Sequence, residues 1–487
     1  MAPWQFPTNL RHSPRIFLSA LLFLASCAHA PSSGTRAGEH PVAAKTSAIA
    51  SYPIPAMHTK IYSTTLPNGL EVFVVPRPDL PLISFRIGLR AGSAEDPPGK
   101  GGTASLAASL LERGTKTHDA LSIFRTIDSS GGSLEASAGR DLTTVSGDSL
   151  STETPVLLSL ASEMIAAPTF PQAEFDQKKA NYVASLIDAE SHPGPRGTNL
   201  FYRLLFGHGP YGHPATGTAA SVKGITRQDL VDFISVHYRP DRSVLVLAGD
   251  LTPSEGFALA KRYFGTWSPI SKIGVPPNRP SSLSPKGGVY LIDKPELRQS
   301  TVFYGTKGIA REDPSFYNAL VFNMVLGATN TSTLNRVIRQ KMGLVYYIHT
   351  GLDAERYPGP FLVNFQTHAP NTAKVMKAMD SVLDMATKTP PSPEKVESVK
   401  NELVGGFPFL MNTTSKLASL LLVVWSDNLG LTYFTDYPEK VRKVTQASAL
   451  AAGQRLLRGK TFVTVIVGPK KILDKTGIKG QPEPHGL

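Results

Sequence analysis

The order of sequence features in this chain of 487 residues repeats at a nearly constant offset. The tripeptide Glu-Asp-Pro at residues 95–97 recurs 217 residues later, at 312–314. Four further positions recur at an offset of 219, since Val222, Thr226, Arg239 and Gly249 match Val441, Thr445, Arg458 and Gly468. A shared offset at separated places indicates an internal duplication. The chain is therefore predicted to contain two copies of one unit of about 200 residues.

Local patterns within the chain mix strands with helices. The stretch LPNGL at residues 66–70 predicts a β-hairpin with an Asn-Gly turn. Residues 83–89 alternate apolar with polar or small side chains, which predicts a half-buried strand, and residues 244–248 predict a short apolar strand. Apolar residues at helical spacing predict helices at 101–112, 118–129, 151–166, 172–190 and 226–237. The predicted fold class is α+β.

Composition marks the boundaries between the predicted units. Residues 268–287 contain five prolines among serines and glycines and are predicted to be an interdomain linker. This linker separates an N-terminal domain at 59–267 from a C-terminal domain at 288–470. Residues 471–487 are rich in Lys, Gly and Pro and are predicted to be a frayed tail.

The N-terminus carries a predicted export signal. Arg11 and Arg15 precede a short apolar run that ends on Leu-Ala-Ser-Cys at residues 24–27, the pattern of a secretory signal. This ending resembles the bacterial lipobox, in which the cysteine becomes the acylated first residue. The resemblance implies a signal peptide at 1–26, lipidation of Cys27 and a flexible tether at 27–58. An ordinary signal peptide is the alternative interpretation.

Lipidation would place the protein on the periplasmic side of a bacterial membrane. Ala28 follows Cys27, instead of the Asp that retains such proteins at the inner membrane, so the outer membrane is favoured. Cys27 is also the only cysteine, which excludes disulfides within the mature chain and cysteine metal ligands. The net charge is +12, but no basic run interleaved with aromatic residues is present, so nucleic acid is not a predicted partner.

One segment has the frame of a metal-binding helix without the metal ligands. Residues 91–115 read AGSAEDPPGKGGTASLAASLLERGT, a Gly/Pro-rich loop followed by a short apolar helix and a Gly-Thr stop. The frame resembles that of the pitrilysin-type zinc peptidases, the family of insulysin and mitochondrial processing peptidase, whose helix carries His-x-x-Glu-His. Aligned on the Gly-Thr stop, the histidine positions hold Ser105 and Ser109, and the glutamate position holds Ala108. The family's third ligand, a later Glu, falls near Ser185, and residues 175–187 contain no Glu.

These replacements remove the side chains that bind zinc and activate water in this family. Two imidazoles and a carboxylate bind Zn²⁺ in such sites, and a second carboxylate handles the proton of the attacking water. Serine hydroxyls are poor substitutes for imidazole, and alanine has no proton to transfer. We therefore expect no metal and no cofactor in this chain.

Further stretches resemble the same family in order and spacing, over roughly residues 60 to 470. They are LPNGL at 66–70, YGHP at 211–214, KPELRQ at 294–299, and STL at 332–334 followed by IRQKMGLVY at 338–346. The resemblance implies two α/β-sandwich halves that face each other across a cleft. Within the last block Thr333 stands where the family often has Arg.

The same block carries Arg339 and Tyr346, an Arg and a Tyr seven residues apart. In the family such a pair projects into the chamber and holds the substrate backbone, and the resemblance implies this role here. Guanidinium donates two directed hydrogen bonds and the phenol adds a donor, which suits the binding of a peptide carbonyl. A salt-bridged Arg and a Tyr at the edge of the core are the structural alternative.

An empty zinc frame combined with an intact Arg/Tyr pair is typical of the non-catalytic chain in two-chain members of the family. The resemblance thus implies a partner chain that carries His-x-x-Glu-His and zinc, with peptide as the shared substrate. The alternative is a scaffold or peptide-binding lipoprotein with no proteolytic role. A third interpretation is that the chain is itself an enzyme, with an active site that its motifs do not identify.

Two further motifs suggest other kinds of site. Residues 147–150 spell GDSL, the nucleophile motif of a serine-hydrolase family, but no Asp-x-x-His follows, and the stretch itself predicts a strand and turn. His208 and His213, with His192 nearby, offer a new metal site in principle. They lie in a Gly/Pro-rich loop without fixed geometry, so surface histidines are the favoured interpretation.

Overall fold

The computed structural model describes residues 50–55, 58–270 and 285–484, and it contains two mixed β-sheets flanked by helices. The first sheet contains β1 (Ala50–Ile54), β2 (Thr59–Thr65), β3 (Glu71–Pro76), β4 (Leu82–Leu89), β5 (Ser133–Ala138), β6 (Thr143–Leu150) and β7 (Ser243–Gly249). The second contains β8 (Gly288–Asp293), β9 (Gln299–Lys307), β10 (Val345–Ala354), β11 (Pro358–His368), β12 (Val463–Gly468) and β13 (Gln481–Pro482). The α+β class is confirmed.

The helices lie between and around these sheets. Those of the first half are α1 (Thr103–Leu110), α2 (Ala120–Ser129), α3 (Thr154–Ala166), α4 (Gln172–Ser191), α5 (Pro193–Phe206), α6 (Ala219–Lys223), α7 (Arg227–His237) and α8 (Pro253–Phe264). Those of the second half are α9 (Phe316–Asn323), α10 (Thr372–Lys388), α11 (Pro393–Gly406), α12 (Thr414–Ser426), α13 (Tyr433–Arg442), α14 (Gln446–Leu457) and α15 (Lys470–Lys475). Each of the five helices predicted from apolar spacing is present.

The two sheets follow the same strand path. Neighbouring strands run β3-β7-β4-β6-β5 in the first sheet and β8-β12-β9-β11-β10 in the second. In both, the first two strands of the path are parallel and the later neighbours are antiparallel. A shared path that departs from chain order in the same way indicates a duplicated unit, as the sequence offset predicts.

Residues that recur in the sequence have equivalent local roles. Thr226 precedes α7 and Thr445 precedes α14, and each hydroxyl accepts the backbone N–H three residues later in a capping box. Gly249 and Gly468 end the equivalent strands β7 and β12. The repeat is therefore most visible where helices begin and strands end.

Each half covers one face of the other half's sheet with a helix. Helix α12 of the second half packs across β4 and β7, and helix α5 of the first half packs across β9 and β12. The second contact is close, because a Cβ atom added at Gly197 of α5 would lie 2.2 Å from the ring of Phe303. This reciprocal exchange packs the two halves into one body.

The strand predicted at 83–89 is buried on both faces, where the sequence suggested only one. Its apolar residues enter the core of the first half, whereas Ser84, Arg86 and Gly88 face α12. The hydroxyls of Ser84 and Thr414 lie 2.8 Å apart, and Arg86 Nε donates to Ser419 Oγ at 3.2 Å. The polar face of this strand thus forms hydrogen bonds between the two halves and is shielded from solvent.

Two predicted boundaries need correction. The tether was predicted to reach residue 58, but Ala50–Ile54 forms β1, antiparallel to β2, and Ile54 is buried. The tail predicted to fray beyond residue 470 instead forms α15, buries Leu473 and adds β13 beside β8. In both places a short segment pairs with a sheet. The local composition gives no indication of this pairing. The signal peptide, Cys27 and most of the linker lie outside the described residues.

No single helix in the described part of the chain is long and apolar enough to cross a membrane. One bent pair, Pro393–Leu410 with Thr414–Ser426 at 114°, passes on length and composition alone. Its second member is α12, whose apolar residues are largely buried against the first sheet.

A cluster of buried carboxyl groups lies where the two halves meet. Asp141 follows β5, and it accepts a hydrogen bond from the Tyr211 hydroxyl at 2.6 Å. Glu355 follows β10 and is buried with its Oε2 unpaired among the described residues. Burial and the neighbouring carboxylates, first Asp141 and then Asp353 and Asp427, raise the pKa of Glu355 to about 8 against the opposing effect of Arg140.

Replacing Glu355 by Gln is expected to change how stability depends on pH. A carboxyl group whose pKa is raised on folding stays protonated in the folded protein while it ionises in the unfolded chain. Its contribution to the free energy of unfolding therefore falls as pH rises from its ordinary pKa, about 4.5, to about 8. Glu355→Gln should show a shallower decline in Tm over this window than the wild-type protein. A decline in the variant equal to that of the wild-type protein would show instead that Glu355 is already ionised in the folded protein and held by Arg140.

Candidate functional site

The frame of the zinc helix is intact although its ligands are absent. Asp96 caps the start of α1, accepting the backbone N–H of Gly102 at 2.7 Å and of Ala104 at 2.8 Å. Gly102 has a φ of 98°, a left-handed conformation that suits glycine. Thr115, the threonine of the Gly-Thr stop, pairs with Pro168 in an isolated bridge. The loop, the helix and the stop are therefore held in place by contacts among the protein's own residues.

The serines at the ligand positions are used locally. Ser105 Oγ donates to the Ala215 carbonyl at 2.7 Å, and Ser109 Oγ donates to the Leu106 carbonyl at 2.8 Å. Ser185 is exposed on α4, and its hydroxyl donates to the Tyr182 carbonyl at 2.8 Å. Ala108 is 0% exposed, so the position of the family's glutamate is packed into the core. These residues do not fit a zinc ion.

The histidine alternative gains no support from the structure. His213 Nε2 lies 3.3 Å from the buried Asp96 carboxylate and 3.0 Å from the Ser93 carbonyl, so it supports the cap of α1. His208 contacts Arg203, with Nδ1 and Nη2 3.0 Å apart. Within the described residues no group of three or more His, Cys, Asp or Glu side chains is arranged to hold a metal ion.

The GDSL stretch is part of a strand. It lies in β6, where Asp148 pairs with Arg86 at 3.2 Å and the Ser149 hydroxyl lies 2.9 Å from the Thr154 hydroxyl. Both side chains thus have structural partners, and neither has a histidine beside it among these contacts. This arrangement agrees with the interpretation of residues 143–150 as a strand and turn.

Arg339 and Tyr346 line one cavity of about 530 Å³ in the second half. Arg339 lies on a π-helical segment, Asn335–Lys341, and Tyr346 lies on β10 with 70% of its surface exposed. A second π-helical segment, Met324–Ala328, extends α9 along the same cavity. Widened helical turns of this kind are rare and occur frequently at functional sites.

Side-chain hydrogen bonds fix the walls of this cavity. The Asn335 amide donates to the carbonyls of Thr329 and Ile348 at 3.0 and 2.9 Å, which ties the Arg339 segment to β10. Thr333, the residue that departs from the family pattern, donates to the Val325 carbonyl at 3.2 Å and accepts from Lys395 at 2.9 Å. Thr333 therefore joins both π-helical segments to α11.

Three polar side chains that line the cavity are left without partners among the described residues. No hydrogen bond or ion pair within the described residues occupies the side chains of Arg339, Tyr346 or Glu402, which comes from α11. The salt-bridged alternative for Arg339 is therefore not what the structure shows. A guanidinium, a phenol and a carboxylate free in one cavity can bind a polar, extended ligand such as a peptide backbone.

A larger cavity, of about 1180 Å³, lies beside α5 and α7 in the first half. Its charged side chains are largely paired with one another, as in Arg196 with Glu483 at 2.6 Å and His213 with Asp96. The smaller cavity is the better candidate for a ligand site, because its Arg339, Tyr346 and Glu402 side chains have no partner among the described residues.

Sequence reasoning did not identify three features of the Arg339 cavity. Glu402 and Asn323 carry no motif, and Glu402 lies 56 residues beyond Tyr346 (402 − 346). The two π-helical segments have ordinary helical composition. Only the packing of α9, β10 and α11 brings these features together.

Comparison with known proteins gives two matching family models. Residues 81–218 match the model described as Insulinase (Peptidase family M16), and residues 224–403 match the model described as Peptidase M16 inactive domain. Together the two matches span well over half of the chain.

Similar proteins include an uncharacterized zinc protease of Streptomyces coelicolor, 24% identical over 415 residues that cover 84% of this chain and 89% of that protein. A probable mitochondrial-processing peptidase subunit beta of Arabidopsis thaliana is 25% identical over 57% of this chain and 54% of its own length. Among solved structures, a peptidase M16 inactive domain from Pseudomonas fluorescens superposes with a TM-score of 0.78 and 26% identity, covering 84% of this chain and 98% of that one. A protease from Helicobacter pylori superposes with a TM-score of 0.79 at 20% identity, over 84% and 100% of the two chains.

Rebuilding the motif in α1 is expected to damage the protein without creating a zinc site. Ser105→His, Ala108→Glu and Ser109→His together place two large groups at buried positions, which should cost about 2–3 kcal/mol through overpacking and burial of a carboxylate. Ser109→His alone, at a half-buried position, is the milder control. Thermal unfolding with and without excess zinc tests this. A rise in Tm on adding zinc would show that the frame still accepts the metal.

Proposed function

The chain belongs to peptidase family M16, and we propose that it acts there as a non-catalytic subunit that positions peptide for a zinc-bearing partner. One observation carries the proposal: the cavity of Arg339 and Tyr346 is open and unpaired, while the zinc frame of the same chain is filled by local hydrogen bonds. Cleavage then requires the metal and the general base of another chain.

The chemistry of the cavity suits this role. The Arg339 guanidinium stays charged and presents its donors in a fixed plane, and the Tyr346 hydroxyl adds one more. Donors arranged before the reaction stabilise a peptide carbonyl oxygen as negative charge develops on it. This chain therefore supplies binding and orientation, and no catalytic step is assigned to a metal within it.

The proposed partner is a family member with an intact His-x-x-Glu-His. One similar protein is named as a subunit of a processing peptidase, which supports an assembly of more than one chain in this family. We place the assembly on the periplasmic side of a bacterial membrane, with the outer membrane favoured, anchored through lipid on Cys27. Globomycin treatment of cells, which blocks lipoprotein signal cleavage, would accumulate the precursor form if the anchor is present.

Arg339→Ala should reduce peptide turnover by the mixed complex by on the order of 10²-fold, the usual cost of removing a donor to a developing oxyanion. Tyr346→Phe should reduce it by about tenfold. Turnover is measured with this chain mixed with a family member from the same organism that carries the intact His-x-x-Glu-His motif, sought first among the neighbouring genes.

The matched control is Arg336→Ala, since Arg336 is exposed on the same π-helical segment but does not line the cavity. If all three variants turn the peptide over at the same rate, Arg339 and Tyr346 do not have the role proposed for them. If this chain binds peptide but no partner chain supports cleavage, the alternative function, a peptide-binding scaffold, is favoured instead.

A further inference from the structure

One buried polar group on the wall of the Arg339 cavity has no partner. Asn323 ends α9, is 2% exposed, and contributes to the lining of the cavity. Its Oδ1 makes no hydrogen bond with any described residue. Leaving a buried amide oxygen unpaired costs free energy, so such a group in a folded protein requires an explanation.

A neighbouring asparagine shows what a structural role looks like in this cavity. Asn335 lines the same cavity and is 4% exposed, but its amide donates to Thr329, Ser332 and Ile348. Asn335 therefore holds two segments together. Asn323 is buried to a similar extent, but its side chain makes no such contacts. A role in holding the cavity wall together therefore does not explain why this position carries a carboxamide.

The local backbone of Asn323 is also unusual. The first π-helical segment, Met324–Ala328, starts at the next residue, and the Asn323 carbonyl accepts a hydrogen bond from the Thr350 hydroxyl at 3.3 Å. The backbone is thereby anchored to β10, the strand that carries Tyr346. The main chain of Asn323 is thus anchored in the wall that the residue shares with Arg339 and Tyr346.

We propose that the Asn323 carboxamide is a third peptide-binding group of this cavity, with Oδ1 accepting a backbone N–H of the bound peptide. A peptide backbone offers a carbonyl oxygen and an N–H at each residue, so a site that binds it in one direction needs acceptors as well as donors. Arg339 and Tyr346 are donors toward the carbonyl, and Asn323 supplies the complementary acceptor. This inference rests on the proposed function.

The test replaces Asn323 by Leu, which keeps the size of the side chain and removes its hydrogen bonding. Because the carboxamide is unpaired in the free protein, the substitution removes a desolvation cost, and Tm should stay equal or rise. Affinity for a fluorescein-labelled, unstructured peptide of mixed sequence, measured by fluorescence anisotropy on the full chain, should fall about threefold to tenfold. Asn323→Asp, which keeps an acceptor at the same place, should retain most of the affinity.

Asn335→Leu is the matched control and should lower Tm, because it removes three hydrogen bonds of the cavity wall. A clear fall in Tm for Asn323→Leu, or unchanged affinity for Asn323→Leu while Arg339→Ala weakens binding, overturns the inference and leaves the proposed function standing. If Arg339→Ala and Asn323→Leu both bind the peptide as the wild-type protein does, or if the wild-type protein binds none, the proposed function fails and this inference fails with it.

Discussion

The reciprocal exchange of helices between the halves is the contact on which the rest of the structure depends. Helix α12 covers β4 and β7 of the first sheet, and α5 covers β9 and β12 of the second. Each sheet therefore buries one face only when the other half is present. The hydrogen bonds around Arg86 and the buried carboxyl groups around Glu355 lie at the same junction, where burial makes an unpaired polar group costly.

The fold around α1 does not depend on the residues at the metal-ligand positions. In the frame of α1 the shape depends on the Asp96 cap and on Gly102, neither of which is a ligand position. The ligand positions carry small residues whose hydroxyls bond to nearby carbonyls. The second half keeps its free Arg339 and Tyr346 because its cavity is built by other residues, among them Asn335 and Thr333.

Much of the architecture could be predicted from the sequence because it depends on local signals. The Asn-Gly hairpin, the threonine caps at Thr226 and Thr445 and the repeat offset all act through neighbouring residues. The second buried face of β4, the docked tail and the orphaned carboxamide of Asn323 could not be predicted, since each depends on partners far away in the chain. The alternation in β4 distinguishes the two faces of the strand but does not tell whether the polar one meets water or serines of α12.

The most direct measurement is the zinc stoichiometry of the purified chain alone and of its complex with the His-x-x-Glu-His partner, determined by atomic emission on defined protein concentrations. The account predicts no zinc in the isolated chain and one zinc for each pair of chains in the complex. One zinc in each chain of the complex, or stoichiometric zinc in this chain by itself, would contradict it.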